Sequence, residues 1–207
     1  MPTNTDHDGG KLTMTPPLDT DDHTPAWNGK IFSGGWVAGA AGVLAVTAPG
    51  TGRPVASVGV ASAADVDRAV GIAKAAQREW AALPYDQRTA VLRNAAALLT
   101  ADPHRLRRWL APESGSAQGK ARRETGLVVS KLHESATLAA RPYGELLRSA
   151  KRRFSFSRRV PLGVIGVISP FNFPALLSMR SVAPALAVGN AVILKPDPRT
   201  PISGGLA

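Results

Sequence analysis

The stretch from Arg159 to Lys195 limits the fold more than any other part of the chain. An apolar run ends at Ile168, and the loop Ser169-Pro170-Phe171-Asn172-Phe173-Pro174 follows. Small and apolar residues at helical spacing then run from about Pro174 to Val188, and a second short apolar run covers Ala191–Lys195. The pattern predicts strand, loop, helix, strand. A βαβ unit of this kind normally lies in a parallel sheet covered by helices. In such sheets ligands sit at the carboxyl ends of the strands. Two of these ends are predicted here, Ile168–Asn172 and Leu194–Pro201, and a single intervening helix places them side by side.

One strand end therefore offers a neutral amide, Asn172, and the other an ammonium, Lys195. An amide within an apolar segment needs a hydrogen-bonding purpose. The prolines flanking Phe171–Phe173 stiffen the loop, as a preorganised donor requires. An equally direct reading makes Asn172 the cap of the following helix and Lys195 a solvated strand end. No Gly-x-Gly-x-x-Gly is present, and Gly163-Val-Ile-Gly166 lies inside the strand without matching it. Spacing alone names no ligand.

Upstream, residues 1–25 read as a disordered tail rich in Asp, Thr and Pro. "KIFSGGWV" and "GVLAVTAP" read as two short strands, and "GTGRPVASVGVAS" as a turn with a third. Ser62-Ala-Ala-Asp65 is a capping-box pattern that opens a helix ending near Trp80. Pro84 opens a second helix, and Asp102-Pro103 a third. "ESGSAQGKARRETG" reads as a break or a loosely helical stretch, with a further helix over about Leu127–Ala139.

Composition excludes several chemistries. The 207 residues contain no cysteine, so disulfides, thiolate metal sites and a thiol nucleophile within this chain are ruled out. The hydrophobic fraction of 44% suffices for a core. No signal peptide and no span of about 20 apolar residues is present, and a cytoplasmic location is expected. Net charge is +10, and no acidic residue occurs between Leu146 and Pro196. "LLRSAKRRFSFSRRV" interleaves Arg148, Lys151, Arg152, Arg153, Arg158 and Arg159 with Phe154 and Phe156. Such a segment could face nucleic acid. A solvated strand pair, or an interface with an acidic partner, is the preferred reading.

"GVIGVISPFNFPALLSMRSVAPALAVGNAVILKPDPRTP" closely resembles the NAD(P)-dependent aldehyde dehydrogenase superfamily, and its second half is similar to the branch acting on aromatic aldehydes such as benzaldehyde. "WNGKIFSGGW", "VTAPGTGRPVASVGVAS" and "ESGS" extend the resemblance over roughly residues 26–207. It implies an α/β fold, with N-terminal antiparallel strands and helices leading into an incomplete parallel Rossmann-like sheet. It also implies a homo-oligomer, with a segment near 145–160 taking part in oligomerisation.

For the site, the resemblance implies that Asn172 donates to the aldehyde oxygen as an oxyanion-hole amide. Ile168, Ser169, Pro170 and Phe171 would line an NAD or NADP site, and Lys195 would hydrogen-bond the adenosine ribose. Phe171 stands where many members carry Trp, Ser181 where many carry Lys (the nearest base is Arg180), and Pro198 where many carry the Glu that grips both ribose hydroxyls. Asp197, one residue earlier, is the candidate substitute, so the choice between NAD and NADP is open.

The family's catalytic Cys, general-base Glu and catalytic domain follow the segment that this chain matches. The chain is accordingly expected to be an N-terminal portion, inactive alone and prone to aggregate through an exposed sheet edge. His104 and His133 lie on helical patterns without a triad setting. A non-catalytic dinucleotide-binding or interaction module, or nucleic-acid binding through 148–159, are the alternatives. Salt dependence would separate them.

Overall fold

The computed structural model describes residues 25–150 and 152–206. The expected tail, apart from Pro25, and Lys151 of the basic segment lie outside the described residues.

The described residues open with two antiparallel hairpins. β1 (Lys30–Phe32) pairs with β2 (Trp36–Ala38), and β3 (Val43–Thr47) with β4 (Pro54–Gly59). The sequence pattern predicts three strands here, and four form. Gly34, at φ 70°, turns "KIFSGGWV" back on itself.

Asp65 then fixes the start of α1 (Ala63–Ala82). Its carboxylate accepts from the Ser62 backbone N–H at 2.8 Å, while the Ser62 hydroxyl accepts from the Asp65 N–H, completing the predicted capping box. The same carboxylate oxygen accepts from Ala40 N at 2.8 Å and so ties the helix to the loop after β2. These backbone bonds, led by that from Ser62, lower the Asp65 carboxyl from 3.8 to about 2.

α2 (Tyr85–Ala101) and α3 (His104–Ser114) follow. Asp102 Oδ1 accepts from His104 N and Arg105 N, and Gly115 ends α3 at φ 66°. α4 spans Gln118–Leu138, so most of the expected break is helical. Tertiary burial decides this: Ala121, Thr125, Val128, Leu132 and Ala136 form one covered stripe that outweighs Gly119 and Gly126. The main core gathers Leu92 and Ala96 of α2, Leu106 and Leu110 of α3, the α4 stripe, and Ala175, Ala183 and Ala187. A second cluster joins Trp27, Val46 and Val58 to Ile202. Trp27 meets Trp109 edge-on at 5.3 Å.

β5 (Gly144–Leu147) and β6 (Ser155–Arg158) form an exposed antiparallel hairpin in the basic segment. The βαβ unit follows as β7 (Val164–Ile168), α5 (Pro174–Ala187) and β8 (Ala191–Lys195). β7 starts later than expected. Arg159 N donates instead to Tyr143 O beside the β5–β6 hairpin, Pro161 lacks a donor, and of residues 159–163 only the Gly163 carbonyl reaches β8, accepting from Ala191 N at 2.9 Å. β7 and β8 are parallel and, among the described residues, pair only with each other. A short π-helical segment, Ile202–Leu206, closes the described chain.

Three side chains from α1 and α2 hold the carboxyl end of α5. Trp80 Nε1 donates to Leu186 O at 2.8 Å, Gln77 Nε2 to Gly189 O at 2.9 Å, and Arg88 Nε to Ala187 O at 3.2 Å. They add side-chain donors to carbonyls at and just beyond the helix end, where Leu186 O also accepts from Gly189 N at 3.0 Å. No helix among the described residues is long and apolar enough to cross a membrane.

Candidate active-site cleft

The strand register sets the site. Ile168 pairs with Lys195, and Ser169 N donates to Lys195 O at 3.1 Å, so the two carboxyl ends are directly joined. Ile168 stands 82% exposed at this edge. Ser169 is buried, and its Oγ has no hydrogen-bond partner among the described residues. Lys195 is exposed, with no ion pair within 4 Å among the described residues.

Beyond Ser169, each loop residue faces a different constraint. Pro170 and Phe171 are exposed, and the Arg199 guanidinium lies 3.6 Å from the Phe171 ring centroid. Phe173 is half-buried with Lys120 Nζ 4.3 Å from its ring centroid. Asn172, between the two phenylalanines, is exposed, and its amide makes no hydrogen bond among the described residues. Phe173 occupies the N-cap of α5 without a side-chain cap bond, so Asn172 does not cap the helix. Its donor is left available at the mouth of the strand ends.

Asp197 is placed differently. Both of its carboxylate oxygens face Arg199, from Nε at 2.8 Å and Nη2 at 2.9 Å. That hydrogen bonding, with a smaller contribution from the field of Lys195, lowers its carboxyl from 3.8 to about 2. Gripping ribose hydroxyls would require Asp197 to share or release Arg199. The Thr200 hydroxyl, three residues on, is buried and unpartnered among the described residues.

The sequence reading missed two acidic residues. Glu124 of α4 is fully buried, and its Oε1 accepts from Ala175 N at 3.0 Å and Leu176 N at 3.2 Å. Glu113 of α3 accepts from Ile202 N and Ser203 N, both at 2.7 Å, and from the Ser203 hydroxyl. Burial raises the Glu113 carboxyl above 4.5 despite these bonds. A usable signal did exist. α5 begins Phe173-Pro174 with no Ser, Thr, Asp or Asn cap and no acid in its first turn, so its orphan donors need an acceptor from elsewhere.

The described residues hold no group of three or more His, Cys, Asp or Glu suited to a metal ion. An open groove of about 440 Å³, lined in part by Ala76, Trp80, Leu186 and Val192, lies at the amino end of β8, away from both loops.

Residues 36–207 match the family described as the aldehyde dehydrogenase family. The chain is 49% identical over 181 residues to a vanillin dehydrogenase of Amycolatopsis sp., covering 87% of this chain and 37% of that protein. It is 47% identical over 182 residues to the NAD(+) benzaldehyde dehydrogenase of Pseudomonas putida, again covering 87% and 37%. Among solved structures, an NAD-dependent benzaldehyde dehydrogenase from Corynebacterium glutamicum superposes with a TM-score of 0.83 at 42% identity, over 88% of this chain and 40% of that one. The chain thus spans well under half the length of the relatives it matches.

Proposed function

The chain belongs to the aldehyde dehydrogenase family, and on that premise we propose that it carries the oxyanion donor and part of the dinucleotide cleft for NAD(P)-dependent oxidation of an aromatic aldehyde. The observation that carries the proposal is the free Asn172 amide, held on a proline-bounded loop beside the joined ends of β7 and β8. A neutral amide can stabilise a developing alkoxide without ionising or competing as a base. The aromatic substrate class rests on the vanillin and benzaldehyde dehydrogenases that the chain resembles.

The residues present fit a dinucleotide. Ile168 is open at the strand end, the Ser169 hydroxyl is orphaned, and Lys195 presents an ammonium without an ion-pair partner within 4 Å. Lys195 would hold the ribose, and Ile168–Phe171 would line its path. Bound NAD or NADP would accept hydride from the substrate carbon. Asn172 would hold the substrate oxygen throughout, and the prolines and Phe173 would hold Asn172. None of the 207 residues is a cysteine, so the thiolate for attack on the aldehyde carbon is not among them. On this reading the chain by itself is inactive.

The exposed β5–β6 hairpin supports a homo-oligomer. Leu146 pairs with Phe156 and leaves both side chains well exposed, the kind of apolar surface that marks an interface.

Titration of the 207-residue chain with NAD and NADP tests the reading. Binding that is lost in Lys195→Ala is expected, with no NAD(P)H formed from benzaldehyde or vanillin. Failure to bind either dinucleotide overturns the cleft. Turnover above that of Asn172→Ala overturns the inactivity.

A further inference from the structure

Glu113 and Glu124 flank the junction between α3 and α4, and both are almost completely buried. Burying a carboxylate is costly unless it is well satisfied. A Ser or Asp at the N-cap of α5 itself would satisfy at the surface the donors that Glu124 takes. The observed arrangement spends a buried carboxylate there instead, and a second, Glu113, on Ile202 and Ser203. What it achieves, and a local cap cannot, is a fixed distance between this junction and the elements that follow both cleft loops. Glu124 holds Ala175 and Leu176, directly after the Asn172 loop. Glu113 holds Ile202 and Ser203, directly after residues 196–201. Lys120, one turn before Glu124, closes the arrangement, with Nζ 3.5 Å from Glu124 and 4.3 Å from the Phe173 ring centroid.

We propose that Glu124 and Glu113 are positioning residues, each anchoring from behind one of the two loops that form the cleft. Calling the loops a cleft rests on the function proposed above. The anchoring itself does not, and the two are tested separately.

Amide hydrogen exchange, followed residue by residue on the 207-residue chain, tests the anchoring. In Glu124→Ala, exchange at Ala175, Leu176 and residues 171–173 rises at least tenfold, while Ile202, Ser203 and the α2 amides around Ala96 stay unchanged. Glu113→Ala gives the reciprocal pattern. Glu124→Gln keeps one acceptor oxygen and raises the same amides only a few-fold. If Glu124→Ala does not fold, that local rise in Glu124→Gln is the deciding result. No change at the variant's own loop, or a uniform rise that includes α2, overturns the proposal.

Dinucleotide titration of the same variants reads the cleft. At least tenfold weaker binding in Glu124→Ala is expected, and unchanged affinity with a loosened loop overturns the link between anchoring and binding. A wild-type chain that binds neither NAD nor NADP defeats the cofactor assignment, and the exchange data then judge the glutamates alone.

Discussion

The Arg199 guanidinium sits over the Phe171 ring, 3.6 Å from its centroid, while its nitrogens hold both oxygens of Asp197. The contact joins the loop after β7 to the loop after β8 through side chains, where the strands themselves have stopped. Cation–π pairs at exposed sites contribute about 0.5–1 kcal/mol. Phe171→Ala is expected to lower stability by roughly that amount and to weaken dinucleotide binding, whereas Phe171→Trp retains both. Urea unfolding and NAD titration of the two variants check this.

Asn172 carries the largest expected effect on turnover. Loss of an oxyanion donor costs about 10²–10³ in kcat. In an assembly in which this chain turns over, Asn172→Ala should lower kcat by that factor and leave KM nearly unchanged. Steady-state kinetics with benzaldehyde separate the two parameters.

Glu113 and Asp65 should give opposite pH dependences. The carboxyl of Glu113 is raised in the fold above 4.5, so the folded chain binds the proton more tightly. Its contribution is fully present below about 4.5 and is lost as pH rises through the folded value. Asp65 is lowered from 3.8 to about 2, so its contribution is present above 3.8 and is lost as pH falls toward 2. Thermal melts across pH 2–8 should show the acid-side loss shrink in Asp65→Asn, with the part due to Asp197, also lowered to about 2, retained. The decline above pH 4.5 should disappear in Glu113→Gln.

The carboxyl end of α5 offers a stability test away from the cleft. Trp80→Phe keeps the ring and removes the 2.8 Å bond to Leu186 O. A net loss of about 1 kcal/mol is expected, seen as a lower urea midpoint with the slope unchanged.

The β5–β6 hairpin should govern self-association. Phe156→Asp places a charge opposite Leu146 on an exposed surface, and a smaller species in sedimentation equilibrium is expected. An unchanged mass would remove the hairpin from the interface.

Much of the fold was legible because its signals are local. The β7–α5–β8 unit shows as apolar runs bounded by Pro, Gly and Asn, and β8 falls where its residues predict. The capping box at Ser62 and the Asp102 turn each act within three residues. Errors arose where local and tertiary preferences conflict. Gly119 and Gly126 weaken α4 on paper, but the buried stripe from Ala121 to Ala136 outweighs them. Residues 159–162 look strand-like by composition, yet Arg159 bonds Tyr143 O instead and Pro161 lacks a donor, so the ladder to β8 begins with the Gly163 carbonyl.

The candidate site divides the same way. Sequence alone determined the parallel βαβ unit, the side-by-side strand ends at Ile168 and Lys195, and the absence of a thiol, since these follow from residue type, chain order and the handedness of strand connections. Only the tertiary structure decided that the Asn172 amide makes no hydrogen bond among the described residues, that Asp197 is engaged by Arg199, and that Glu113 and Glu124 hold the segments that follow the two loops. Glu124 meets its donors 51 residues away and Glu113 meets Ile202 89 residues away. A hydrogen bond over such a separation leaves no local pattern, because the packing of α3 and α4 against α5 brings its partners together.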